Sequence, residues 1–138
     1  MIKSKKLMSL LAVAALASTV LVGCGSNNET GLKDGPYESK SEADERGYVA
    51  SINIEVKDGK IATVKFDEAN DAGSKLDDAE YNTNMKNASG SSPIEAYPAL
   101  EASLIEKQDA AAVDTVTGAT NTSDTFKALA EEALKSAK

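Results

Sequence analysis

The chain lacks histidine and tryptophan, and it has a single cysteine and six aromatic side chains among its 138 residues. Without histidine it can have no imidazole general base, no serine–histidine triad and no histidine ligand for zinc. A lone cysteine leaves no partner for an intramolecular disulfide, so the fold must be stable without one. Carboxylates and carbonyls remain, which suit Ca²⁺ or Mg²⁺, but no grouping of them marks a site. We therefore predict neither a metal site nor catalytic residues.

Basic charge is scarce, and apolar runs are absent beyond the N-terminus. The whole chain has 15 basic and 22 acidic residues, a net charge of −7. Residues 1–23 hold three lysines and no acid, so the remaining 115 residues carry a net charge of −10. This balance argues against nucleic acid as a partner and against electrostatic docking on anionic lipid. No second apolar run is long enough to suggest a membrane span.

The N-terminus has the pattern of an export signal. Three lysines (Lys3, Lys5 and Lys6) precede an apolar stretch over 7–20, which is too short for a comfortable membrane span. Leu21-Val22-Gly23-Cys24 follows and resembles the lipobox of bacterial lipoprotein precursors. We predict a lipoprotein signal peptide over 1–23, a lipid anchor such as palmitate on Cys24, a flexible tether over 24–31 and one domain over 32–138. The alternative is an ordinary secretory peptide with a chance cysteine.

Alternating apolar residues predict two strands, 48–56 and 61–66, and a shorter strand is expected from Tyr37. A two-residue Asp58-Gly59 turn would place Ile54 opposite Thr63, with the apolar faces on opposite sides of the sheet. A three-residue turn over 57–59 instead pairs Ile54 with Ala62 and Ile52 with Val64. Because a one-residue slip reverses every side chain, the second register is predicted, with Gly59 left-handed in a bulge.

The C-terminal half predicts helices. Ser92-Pro93-Ile94-Glu95 is typical of a capping box, and Pro98 should kink or restart the helix that follows. The apolar stripe of that helix is Ile94, Tyr97, Leu100, Leu104 and Ile105. A last amphipathic helix is expected after a cap at Ser123 or Thr122. The segment 110–116 is predicted to be extended. The polar stretch 67–92 is predicted to be a solvated loop with one helical turn near 76–85, because its spacing does not match a calcium loop.

These elements predict the α+β class: a small antiparallel sheet packed against two or three helices in a single domain. The carboxylates are interpreted as a solvated surface. Each of the four tyrosines (Tyr37, Tyr48, Tyr81 and Tyr97) and both phenylalanines (Phe66 and Phe126) could stack on a ligand ring. Taken singly, each is more often a core or half-buried residue.

The segment Asp114-Thr-Val-Thr-Gly-Ala-Thr-Asn-Thr-Ser123 precedes the last helix. It is rich in hydroxyl groups and has little steric bulk, and the N-terminus of a helix favours a phosphate. The same composition is also good turn and capping material without any ligand. Both interpretations follow from the residues alone.

The segment resembles the Asp-x-x-(Ser/Thr)-Gly-Ala-Thr-x-Thr signature of FMN-binding domains that carry the flavin as a threonine phosphoester. The C subunit of sodium-pumping NADH:quinone oxidoreductase, the G subunit of the Rnf complex and flavin lipoproteins of extracellular electron transfer belong to that family. The resemblance extends over about 32–134, through Leu32-Lys-Asp-Gly-x-Tyr37, Val56-Lys-Asp-Gly-Lys-Ile61, Glu95-Ala-Tyr-Pro98, Ile105-Glu-Lys-Gln108 and the final helix.

The resemblance implies that Thr120 takes the FMN phosphate. Gly118 and Ala119 would leave room for the backbone and hydroxyl group to enter a transferase active site. Asp114 would hold the loop or help to hold a metal during transfer, and Thr117, Asn121 and Thr122 would supply polar groups near the phosphate. Since a free threonine hydroxyl is a poor nucleophile, a separate Mg²⁺-dependent flavin transferase using FAD is expected.

The resemblance therefore implies a membrane-anchored flavoprotein on the extracytoplasmic face of the cell membrane. It would accept electrons from a membrane donor, such as a quinone or NADH dehydrogenase, and pass them to an extracellular acceptor or reductase. Such a protein is an electron carrier more than a self-contained enzyme. The alternative is a surface lipoprotein without flavin that acts as a ligand-binding or interaction module.

Overall fold

The structure is a computed structural model that describes residues 31–138. The predicted signal peptide, Cys24 and nearly all of the tether lie outside the described residues. Four strands form one antiparallel sheet in chain order: β1 (Gly35–Lys40), β2 (Val49–Lys57), β3 (Lys60–Asn70) and β4 (Gly73–Ser74). Three helices follow: α1 (Ala79–Ser89), α2 (Pro93–Lys107) and α3 (Thr120–Lys135). The predicted α+β class is confirmed.

One face of the sheet carries the core. Helix α2 packs on β3, and α3 packs across β1 and β2. Phe66 of β3 joins the layers, because its ring lies edge-on to Tyr97 of α2 at 4.9 Å and to Phe126 of α3 at 5.3 Å between centroids. All three aromatic side chains are buried. The predicted apolar face of the last helix is confirmed, since Phe126, Leu129, Ala130, Ala133, Leu134 and Ala137 are buried.

The predicted register of the β2–β3 hairpin is wrong. Lys57 pairs with Lys60, so the turn has two residues, and both Asp58 (φ 54°) and Gly59 (φ 76°) have the positive φ of a type I′ turn. Ile54 pairs with Val64 and not with Ala62. A bulge between Glu55 and Val56 leaves Ala62 as an extra residue on β3. Without a bulge, a two-residue turn would place the apolar residues of β2 and β3 on opposite faces of the sheet. The extra residue corrects this, so Ile61 and Val64 both face the core.

The interpretation of 67–92 as a solvated loop is also wrong. Strand β3 continues to Asn70, the short β4 follows, and a 3₁₀ turn (Lys75–Asp77) leads into α1. Helix α1 has its own end signals: the Asp78 side chain accepts from the backbone N–H of Tyr81, and Gly90 ends the helix at φ 84°. Buried Asn82 donates to the carbonyls of Lys75 and Asp78, which fixes the helix to the preceding turn.

Helix α2 begins as predicted but is capped differently. Ser92 occupies the N-cap position without a side-chain capping bond, and the Asn82 side chain instead accepts from the backbone N–H of Ile94 at 3.1 Å. The helix continues through Pro98 without a restart, because Pro98 lies on the exposed face. Ile94 and Ile105, predicted in the apolar stripe, are exposed at 53% and 38%.

The segment before α3 is not simply extended as predicted. Ala110–Ala112 form a 3₁₀ turn, and the irregular stretch 113–116 follows it. Val113 is buried in the core, and the Asp114 backbone N–H donates to the Ser103 hydroxyl of α2. In the part of the chain that the structure describes, no helix is both long and apolar enough to cross a membrane.

Candidate functional site

The segment 114–123 is a tight turn that leads directly into α3. The backbone N–H of Ala119 donates to the carbonyl of Val116 at 3.0 Å, and Gly118 takes a positive φ of 84° inside that turn. Helix α3 begins at Thr120. The predicted cap at Ser123 or Thr122 is therefore wrong, and the helix starts three to four residues earlier than expected.

Ser123 has a different role from the predicted cap. Its fully buried hydroxyl donates to the carbonyl of Ala119 at 2.7 Å and accepts from the backbone N–H of Val116 at 3.0 Å. One side chain in the first turn of the helix thus joins both ends of the turn that precedes it. Ser123 therefore stabilises the turn from its buried side, and the side chains of Thr117 and Thr120 are exposed on its outer side.

Gly118 is fixed by a close approach to α1. A Cβ atom at this position would lie 2.2 Å from the carbonyl oxygen of Ser89, far inside van der Waals contact. Only glycine fits both this spacing and the left-handed backbone. The family resemblance implies that Gly118 leaves room for entry into a transferase active site, and packing against the C-terminal end of α1 is a second reason for the glycine.

The N-terminus of α3 presents free backbone donors. Ala119 occupies the N-cap position, and no side chain caps the helix. The first intrahelical bond is made by the N–H of Ser123 to Ala119. The N–H groups of Thr120, Asn121 and Thr122 consequently have no acceptor among the described residues. Such an end carries partial positive charge and suits an anionic group.

The predicted site residues divide into three groups. Asn121 and Thr122 line a cavity of about 410 Å³, and Thr122, Gly118 and Ala119 line an adjoining crevice of about 30 Å³. Thr120 and Thr117 are exposed on the turn and line neither space. Asp114 lies apart: its exposed carboxylate is 3.9 Å from the Lys107 ammonium group and lines neither space.

The large cavity lies between α3, α1 and the end of the sheet. Its volume is within the usual range of small-molecule sites, about 300–1,000 Å³. Tyr48 and Tyr81 form part of its wall, with ring centroids 6.4 Å apart and a 44° angle between the ring planes. Asp44 also lines it, and the carboxylate accepts from the backbone N–H groups of Arg46 and Tyr48. These bonds, chiefly the one from Tyr48, lower the pKa of Asp44.

The aromatic residues follow their two expected roles. Tyr97, Phe66 and Phe126 are core residues, whereas Tyr48 and Tyr81 are half-buried in the cavity wall. Tyr37 is half-buried on β1, remote from this cavity, and its hydroxyl donates to the carbonyl of Lys33. A separate cavity of about 400 Å³ lies beside Tyr37 and contains no residue of the segment 114–123.

Sequence reasoning missed a buried charged network in the cavity wall. The Lys75 ammonium group donates to Oε2 of Glu68 at 2.8 Å, and the Tyr97 hydroxyl donates to the same oxygen at 2.5 Å. The Lys75 nitrogen also lies 4.6 Å from the centroid of the Tyr48 ring and 5.5 Å from that of Tyr81. One signal was available: Glu68 continues the inward alternation of Val64 and Phe66, where an acid requires a partner.

The network keeps its protons on Lys75 and Tyr97. Burial alone would lower the pKa of the Lys75 ammonium group, but the hydrogen bond to Glu68 and the negative charge of Glu68 outweigh burial and raise that pKa. Burial, followed by the hydrogen bond to Glu68, raises the pKa of the Tyr97 phenol far above its ordinary value. Within residues 31–138, no group of three or more acidic or cysteine side chains could hold a metal ion.

Comparison with known proteins identifies the kind of domain. A family model described as an FMN-binding domain matches residues 47–135, which include the segment 114–123 and most of the residues that line the cavity. A Treponema pallidum protein named "15 kDa lipoprotein" is 33% identical over 126 residues, covering 90% of this chain and 88% of that protein.

Two solved structures have the same fold. A crystal structure of a Clostridium perfringens protein is 46% identical with a TM-score of 0.74, and the match covers 77% of this chain and 88% of that one. A solution NMR structure of a Clostridium thermocellum protein is 30% identical with a TM-score of 0.51, covering 76% and 92% of the two chains.

Proposed function

This chain belongs to the FMN-binding domain family, and we propose that it is a lipid-anchored electron carrier with FMN joined to Thr120 through a phosphoester. The observation that carries the proposal is the position of Thr120. It is the first residue of α3, its side chain is exposed, and the next two residues, Asn121 and Thr122, line the cavity.

The residues present fit FMN. The free N–H groups at the start of α3 would face the phosphate. The adjoining cavity offers two tyrosine rings and the polar side chains of Asn121, Thr122 and Thr125 to the rest of the molecule. When bound, the flavin supplies the redox chemistry, and the protein binds and orients it.

A covalent link suits a carrier that works outside the cytoplasm. Phosphate at an exposed helix N-terminus gains only about 0.3–1 kcal/mol, which is too little to retain FMN. No histidine exists in the chain to activate the Thr120 hydroxyl group. Attachment therefore requires a separate Mg²⁺-dependent flavin transferase with FAD as donor. Because Thr120 is exposed on a firmly held turn, it can enter the active site of such an enzyme.

The proposed location is supported by the pattern of the N-terminal signal and by the relative named as a lipoprotein. We propose that Cys24 carries the lipid and that the domain faces away from the cytoplasm, where it accepts electrons from a membrane donor and passes them to an extracellular acceptor. Replacing Cys24→Ala should release the protein into the medium or leave an uncleaved precursor. Normal processing with unchanged membrane retention would contradict the anchor.

The attachment site is tested by co-expression with a flavin transferase and in-gel flavin fluorescence. Thr120→Ala should abolish the fluorescence and leave the fold intact, because Thr120 is exposed and caps nothing. Thr117→Ala and Thr122→Ala, the matched controls, should lower the yield without abolishing it. A wild-type protein that stays empty beside a transferase active on another substrate would contradict the proposal and favour the binding-module alternative.

A further inference from the structure

A buried ion pair lies in the wall of the cavity beside α3. The Lys75 and Glu68 side chains are only 10% and 13% exposed, and their charged groups are 2.8 Å apart. Removing two charges from water is costly, and well-packed apolar residues often replace such a pair without loss of stability. The stability of the fold alone therefore does not explain the ion pair. Its position in the cavity wall suggests that it acts on a ligand bound in the cavity.

The two charged groups differ in how far other groups compensate their charge beside the cavity. The Glu68 carboxylate is compensated by two donors on one oxygen, from Lys75 and from the Tyr97 hydroxyl at 2.5 Å. The Lys75 ammonium group lies against the faces of Tyr48 and Tyr81, which also line the cavity. Lys75 is the single basic residue among the described residues that line it.

We propose that the positive charge of Lys75 sets the reduction potential of the flavin in this cavity. It does so by stabilising the negative charge that the ring gains on reduction. This inference rests on the proposed function. Two electrons from a reductant and one proton from water convert the oxidised ring into a reduced ring with one more negative charge. Lys75 keeps its own proton throughout and acts as a fixed charge.

The charges that face Lys75 determine the sign of the effect. Glu68 comes from β3, and Asp44, Glu42 and the phenol of Tyr48 come from the loop before β2. The phenol of Tyr81 comes from α1. Helix α3 contributes only uncharged side chains to this cavity: Asn121, Thr122 and Thr125. Removing Lys75 should therefore leave the ring facing net negative charge, and removing Glu68 should leave the cation without its nearest compensating charge.

The test is a potentiometric titration with dithionite and mediator dyes of flavin-loaded wild type, Lys75→Met, Lys75→Arg and Glu68→Gln. At a fixed ambient potential, Lys75→Met should lower the ratio of reduced to oxidised flavin at least tenfold, a fall of about 30 mV for a two-electron couple. Glu68→Gln should shift the potential upward, and Lys75→Arg should stay near the wild type. Opposite signs for the two removals are not expected from general disruption of the fold.

The pH dependence of the reduction potential is a second test. Near neutrality, the reduction potential of the wild type should fall by about 30 mV per pH unit, as expected when one proton accompanies two electrons. This corresponds to a tenfold change in the equilibrium ratio of reduced to oxidised flavin. In Lys75→Met the slope should increase toward twice that value, because a reduced ring without the cation takes a second proton up to a higher pH.

The outcomes separate this inference from the proposed function. Equal potentials in all four loaded proteins, or shifts of the same sign for Lys75→Met and Glu68→Gln, would overturn the inference and leave the function standing. A wild type that takes no flavin from an active transferase would overturn both. If circular dichroism shows that Lys75→Met does not fold, Glu68→Gln decides: no upward shift overturns the inference.

Discussion

At the scale of single residues, the positions in and near the turn over 117–120 have different structural roles. Thr120 is exposed at the start of α3, which leaves its hydroxyl group accessible for the proposed modification. Gly118 is determined by the Ser89 carbonyl and by its backbone angle. Ser123, just beyond the segment, holds the turn closed through two hydrogen bonds. Part of the signature thus serves the fold, and part remains for the cofactor.

Gly118→Ala is expected to lower the free energy of unfolding by clearly more than 1 kcal/mol, because strain from the positive φ adds to a 2.2 Å contact with Ser89. Gly90→Ala is the matched control: its φ is also 84°, but nothing lies within 4 Å of the added Cβ. Urea unfolding of both variants measures the difference. Equal losses would show that the contact with α1 has no energetic consequence.

At the scale of elements, the hairpin shows how a correct rule can give a wrong register. The alternation of apolar residues required Ile54 and its partner to share a face, and a three-residue turn was the simplest way to achieve that. The protein instead uses the favoured two-residue Asp-Gly turn and places a bulge at Ala62. A bulge leaves little trace in a sequence, because the extra residue is small and exposed.

Deleting Ala62 tests this register. The deletion should give a regular hairpin in which Val56–Ile61 and Ile54–Val64 still pair, so the protein should stay folded. Deleting Lys65 is the control: it turns Phe66 away from the core and should cost about 3–5 kcal/mol, as expected for losing a buried phenylalanine. Chemical denaturation of both deletions decides. If deleting Ala62 is as damaging as deleting Lys65, the bulge assignment is wrong.

Helix α1 was missed because its inward stripe is polar. The residues that turn toward the protein are Tyr81, Asn82, Met85 and Ser89, which have helical spacing but little hydrophobicity. Its end signals, Asp78 and Gly90, were present in the sequence. Strands β2 and β3 and helices α2 and α3 could be predicted because their buried faces are apolar. The cavity wall could not, because Lys75 and Glu68 meet only once β3, β4 and the 3₁₀ turn are assembled.

At the scale of the whole molecule, the Glu68 network links stability to alkaline pH. The pKa values of Lys75 and Tyr97 are raised in the folded state above their ordinary values of 10.5 and 10.0. A raised pKa contributes stability that is complete below the unfolded-state value and is lost as the pH rises toward the folded-state value. The urea midpoint should therefore be level near neutral pH and fall above about pH 10.

Tyr97→Phe isolates the phenol. At neutral pH it should cost about 1.5–3 kcal/mol, because a hydrogen bond to a charged group is lost. Above pH 10 its urea midpoint should fall less steeply than that of the wild type, since one of the two groups with a raised pKa is gone. Parallel curves for the two proteins would show that the Tyr97–Glu68 hydrogen bond does not link stability to pH.

Peptide mapping of protein isolated from its native membranes shows directly whether Thr120 carries FMN. If it does, the peptide containing Thr120 has the mass of an FMN phosphoester, with fragment ions that place the flavin on that residue. Flavin on Thr117 or Thr122 would contradict the assigned residue but preserve the function. A wholly unmodified 114–123 peptide in this material would contradict the function itself.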